Sequence, residues 1–102
     1  MPRNYVLSLK LEERDIPDGQ VPGLYRAVWV PRAGGASLTF EVTEINIESP
    51  EISCPGIPTG EYDVTIARLY ADGSQMSAPV AFQQSVLPPR ALVPISAKLR
   101  EV

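Results

Sequence analysis

Histidine is absent from the 102 residues, and cysteine occurs once, as Cys54. The first absence removes the side chain most often used to move protons near neutral pH and the commonest metal ligand. The second excludes an internal disulfide, so the fold must be held by its core. With no histidine to activate it, Cys54 reads as a small buried apolar residue rather than a nucleophile. No apolar run approaches the roughly 20 residues of a membrane-spanning helix, or the shorter apolar stretch of a signal peptide. Asn-x-Ser/Thr acceptors are missing too, since Asn4 precedes Tyr5-Val6 and Asn46 precedes Ile47-Glu48. None of this assigns a localisation. Basic charge is sparse and scattered: nine Lys and Arg against twelve Asp and Glu leave a net charge of −3, which disfavours a surface for neutralising phosphates, and so nucleic acid.

The motifs of site chemistry are equally scarce. The carboxylate pairs Glu12-Glu13, Asp15-Asp18 and Glu48-Glu51 belong to no Asp-x-Asp-x-Asp-Gly loop of the kind that gathers oxygens around a hard cation. Gly34-Gly35 is not followed by the Lys-Ser/Thr and helix start of a phosphate loop. The serines have no histidine partner, and Lys10 and Lys98 lie in no nucleophile motif. The expectation is a protein without catalytic residues, metal or cofactor.

Eleven prolines and seven glycines are spread as punctuation through the chain. A proline inside a helix costs about 3 kcal/mol, so long helices have nowhere to form. Strand periodicity fills the windows that remain. Leu7, Leu9 and Leu11 alternate with polar residues over Tyr5 to Glu12. Tyr25, Ala27 and Trp29 share one face of a second strand, Leu24 to Val30, whose other face carries Leu24, Val28 and Val30 around Arg26 and so predicts a central strand. Leu38, Phe40 and Val42 mark a third, and the opposite parity of Ile45 and Ile47 demands a bulge or a change of sheet near Thr43-Glu44. A short piece, Glu51 to Cys54, leads into a turn-rich connection, Pro55 to Gly60. Tyr62, Val64 and Ile66 alternate through Glu61 to Tyr70, and Asp72-Gly73 predicts a tight hairpin into a return strand from about Met76 to Val86. Six or seven short strands with turn signals every ~8–12 residues predict an all-β fold, an antiparallel two-sheet sandwich. Its length allows one core.

The segment from Pro58-Thr59-Gly60-Glu61-Tyr62 through Asp72-Gly73-Ser74 to Ser77-Ala78-Pro79-Val80 resembles the last two strands of fibronectin type III domains, and related immunoglobulin-like sandwiches share the motif. The resemblance implies that Tyr62 is a corner tyrosine with its ring in the core and its hydroxyl on nearby backbone, and that Trp29 is the tryptophan of the family's second strand. Arg68 departs from the pattern, standing where a small apolar residue is usual. The free-standing size, short loops, lack of disulfides and added terminal strand also resemble small bacteriophage virion proteins.

The chain therefore divides into a sandwich over residues 1–87 and a C-terminal extension or edge strand over 88–102. In the extension Val93, Ile95, Ala97 and Leu99 share one side, and Pro94 confines the segment to an edge. The expected function is structural: binding a protein partner or a further copy, within a phage virion or a bacterial surface assembly. Candidate contact residues are Tyr5, Arg26, Tyr70, Val93, Ile95 and Leu99, with Arg32 and Arg68 as further cations for a partner's carboxylates. The alternative is a carbohydrate-binding module using Tyr5, Tyr25 or Tyr70; Trp29, Phe40 and Tyr62, at alternating strand positions, are expected in the core instead.

Overall fold

The computed structural model describes residues 3–88 and 90–101, so Pro89 and Val102 of the extension lie outside it. Six strands follow in order: β1 (Arg3–Ser8), β2 (Pro22–Pro31), β3 (Leu38–Val42), β4 (Glu51–Ile57), β5 (Gly60–Tyr70) and β6 (Val80–Val86). No helix occurs among the described residues. A four-stranded sheet, β3-β2-β5-β6, packs against a two-stranded sheet, β1-β4, and every neighbouring pair is antiparallel. This is the two-sheet all-β sandwich that the alternation predicts, with β2 central as its two apolar faces require.

Alternation decides which side chains meet between the layers. Residues directly opposite in an antiparallel ladder share a face, so Leu38, Trp29 and Val64 line up across β3, β2 and β5, as do Phe40, Ala27 and Ile66. From the smaller sheet Leu7, Ile52, Cys54 and Ile57 close onto them, and Trp29, Ile52, Ile57 and Val64 are almost fully buried. The Trp29 ring lies between two tyrosines, 5.6 Å from Tyr5 and 5.6 Å edge-on from Tyr62. No polar or charged residue is buried among the described residues, so apolar packing alone carries this core.

The structure corrects several strand limits, each for a local reason. The first strand stops at Ser8 rather than Glu12. Its last tie is the Leu9 amide donating to the Pro50 carbonyl at 2.9 Å, and beyond it Glu12 pairs with Arg14 at 2.7 Å in a solvated loop. At the end of β3 the chain changes sheet: Ile45 packs on the core while Ile47 is 82% exposed. Asn46 turns the chain by accepting the Glu48 amide on its side chain at 3.0 Å.

The connection expected over Pro55 to Gly60 is largely strand. β4 continues through Pro55-Gly56 because two residues there oppose Asn4 alone, a bulge in which Gly56 supplies a φ of +73°. Asn4 Oδ1 accepts the Gly56 amide at 2.9 Å, and Pro55 is tolerated because β4 is an edge strand.

The β5–β6 hairpin is also not the two-residue turn its Asp72-Gly73 suggests. Only glycines have positive φ among the described residues, so Asp72 stays in the ordinary region. Gly73 N–H donates to the Tyr70 carbonyl at 2.9 Å and Tyr70 N–H to the Ser74 carbonyl at 2.7 Å, giving a three-residue loop closed by Gly73 at φ +90°. The chain then departs before regular pairing resumes at Val80 opposite Ile66, which is why β6 starts four residues later than expected.

Candidate interaction surface

The predicted contact residues fall into three environments. Tyr5, on β1, is half-buried with its ring against Trp29, so most of its apolar area already serves the core. Tyr70, at the end of β5, is half-buried, and its backbone closes the hairpin loop. Arg26 is exposed on the outer face of β2, where its Nε donates to Glu41 Oε2 on β3 at 2.7 Å. Val93, Ile95 and Leu99 are 71%, 94% and 103% exposed, in a stretch without secondary structure.

The other two candidate arginines, Arg32 and Arg68, are also engaged within the chain. Arg32 lies 3.6 Å from Asp63. Arg68 stacks its guanidinium 4.7 Å above the Tyr25 ring and donates to the Gly23 carbonyl at 3.1 Å. That carbonyl belongs to the stretch where β2 slips register against β5. Arg68 thus fastens a bulge, which accounts for a charged residue at a position where the family resemblance implies a small apolar one.

Trp29 and Tyr62 are buried, and Tyr25 lies under Arg68, so these rings form no exposed stacking platform. Two depressions among the described residues, one over Gly34, Gly35 and Tyr62 and one over Gly23, Arg68 and Tyr70, are shallow and bring no nucleophile next to a base. No three His, Cys, Asp or Glu groups come together among the described residues. Cys54 is fully buried; burial pushes its thiol above the ordinary value, with the Trp29 indole N–H pulling weakly the other way. A thiol kept protonated is a poor nucleophile.

One surface feature escaped sequence reasoning. Val80 and Phe82 lie opposite Ile66 and Val64 in the β5–β6 ladder and therefore point between the layers, yet they are 65% and 36% exposed. The smaller sheet has two strands against four, and β4 approaches β3 at one margin. The upper part of β6, at the opposite margin, is left uncovered, although Val86 at its lower end is buried. The only signal in the sequence was the alternation Val80, Phe82, Gln84, Val86, which shows an inward face without showing that nothing covers it.

The extension leaves the body at the lower end of this flank, where Arg3 Nη2 donates to the Pro88 carbonyl at 3.1 Å. From there it runs outward, giving a molecule 81 Å long with a radius of gyration of 19.9 Å; a compact chain of this length has about 13 Å. Compared with protein-family models, curated proteins and solved structures, the chain finds no match in any of the three.

Proposed function

We propose that the chain is a non-catalytic interaction module, a sandwich of the fibronectin type III or immunoglobulin-like kind, that enters a structural assembly such as a phage virion or a bacterial surface structure. The observation that carries this reading is a solvated segment with strand alternation that leaves the body at the end of a core flank lacking a strand. Apolar side chains exposed at 71–103% along one segment are unusual for a monomer and mark a surface meant for a partner. The kind of sandwich is supported by the strand order and by the Tyr62 hydroxyl, which donates to the Pro58 carbonyl four residues upstream at 2.9 Å, the geometry of a tyrosine corner.

The test is truncation after Pro88. The module reading expects a chain that keeps its strand circular dichroism and a cooperative melt, since the segment contributes no buried residue to the described core. Loss of folding overturns it. So does a saturable fluorescence response of the full chain to sugars, which would favour the carbohydrate reading.

A further inference from the structure

We propose that the occupant of the uncovered flank is the C-terminal segment of a second copy of this chain, added as a strand along the outer edge of β1. The proposal rests on the module reading above and names its partner.

The flank has the chemistry of a strand-shaped vacancy. β1 pairs on one side only, with β4, so its other edge presents unpaired backbone among the described residues. In the facing sheet, at the margin away from the β3–β4 contact, Val80 and Phe82 point inward but are solvated. A strand placed there gains ladder hydrogen bonds from β1 and must bring an apolar residue at every second position.

Residues 90–101 supply that pattern with Val93, Ile95, Ala97 and Leu99. Their even-numbered neighbours include Pro94, which has no N–H. In a strand the backbone groups of successive residues point alternately toward and away from a neighbour. With Pro94 facing away, Val93, Ile95, Ala97 and Leu99 face β1, and the proline sits where an outermost strand tolerates it. Twelve extended residues reach about 40 Å, ample for the six residues of β1.

Charge and area point to a copy of the same chain. Residues 1–89 carry six Lys and Arg against eleven Asp and Glu, a charge of −5, while 90–102 carry three against one, a charge of +2. The segment is thus attracted to a body of its own kind, whereas two bodies without it repel. The exposed area is 8083 Å², against roughly 5,700 Å² for a compact monomer of this mass, a surplus of roughly 2,400 Å². A stable interface takes about 1,200–2,000 Å² in total, so one exchanged segment per copy would account for most of the surplus. The outward course of the segment, in a molecule 81 Å long, leaves its own flank uncovered.

Sedimentation of the full chain at tens of micromolar is expected to show a dimer or larger species. Truncation after Pro88, or Ile95→Glu, is expected to weaken association more than tenfold and yield monomer. Geometry is read by disulfide trapping: a mixture of Phe82→Cys and Ile95→Cys chains is expected to form mixed dimers at least tenfold faster than either variant alone, with the buried Cys54 silent. A monomeric full chain overturns the exchange, as does a double variant that closes its disulfide within one chain, or an oligomer that survives truncation. A truncation that unfolds overturns the module reading itself, whereas a folded truncation with a monomeric full chain overturns only the exchange.

Discussion

Trp29→Ala strikes the centre of the packing. The ring is 1% exposed, sits on β2 between the rings of Tyr5 and Tyr62 and faces the smaller sheet. Removing a buried tryptophan costs about 3–5 kcal/mol through lost transfer energy and the cavity left behind, including two aromatic contacts worth about 0.5–1.5 kcal/mol each. A body of roughly 85 residues has about 4–13 kcal/mol in all, so the variant should lose a large share of its stability, with a melting temperature lower by roughly 12–40 °C. Trp29→Phe should behave differently. The indole Nε1–H is buried with no oxygen or nitrogen to accept it, only the weakly accepting Cys54 sulfur nearby, a defect worth at most about 3 kcal/mol that phenylalanine removes while keeping an aromatic ring against both tyrosines. Its net cost should be well below that of Trp29→Ala, because a smaller cavity is left. Denaturant titration followed by circular dichroism measures both, since fluorescence is lost with the tryptophan. A Trp29→Ala chain that melts with the parent would refute the burial argument, and a Trp29→Phe chain as damaged as Trp29→Ala would refute the claim about the orphaned N–H.

Three further changes probe other contacts. Tyr62→Phe deletes the hydrogen bond to Pro58 and should cost about 0.5–1.5 kcal/mol, lowering the melting temperature by about 4–8 °C for each kcal/mol; thermal melts check it. Gly23→Ala would place a methyl 2.9 Å from the Tyr70 carbonyl oxygen and 3.0 Å from that of Leu69, so β2 and β5 must part at a cost of about 1–3 kcal/mol, measurable by urea unfolding. For Cys54 the folded thiol lies above its ordinary value, so the unfolded chain loses this proton first, near pH ~8.5. The contribution is complete below that pH and declines as pH rises through the folded value, a decline that Cys54→Ala should abolish in unfolding titrations between neutral and strongly alkaline pH.

Much of the architecture was legible because burial writes itself into alternation: Tyr25, Ala27 and Trp29, or Tyr62, Val64 and Ile66, name the inner face of their strands without further information. Strand limits were less legible where a tertiary partner overrode the local signal. Pro55-Gly56 looks like a turn in one dimension and becomes a bulge only because Asn4, fifty-two residues away, satisfies the Gly56 amide. Leu11 continues the period of Leu7 and Leu9, yet no strand is present to receive it once β1 ends at Ser8. The candidate contact residues divide in the same way. The exposure of Val93, Ile95 and Leu99 matches their place in a proline-interrupted tail, but Tyr5 was read from its position near a strand end, and its packing against Trp29 depends on a sheet pairing that local pattern does not encode. The uncovered strip at Val80 and Phe82 was invisible for a related reason: a sequence shows which residues face inward, not how many strands lie opposite.

Amide exchange across residues 90–101, followed over a range of protein concentrations, tests the central claim most directly. Protection is expected to be absent in dilute solution and, on concentration, to appear at Val93, Ile95, Ala97 and Leu99 but not at Ser96 or Lys98, the pattern of an outermost strand held by β1 of a neighbour. Protection that is independent of concentration, or that never appears, would contradict it.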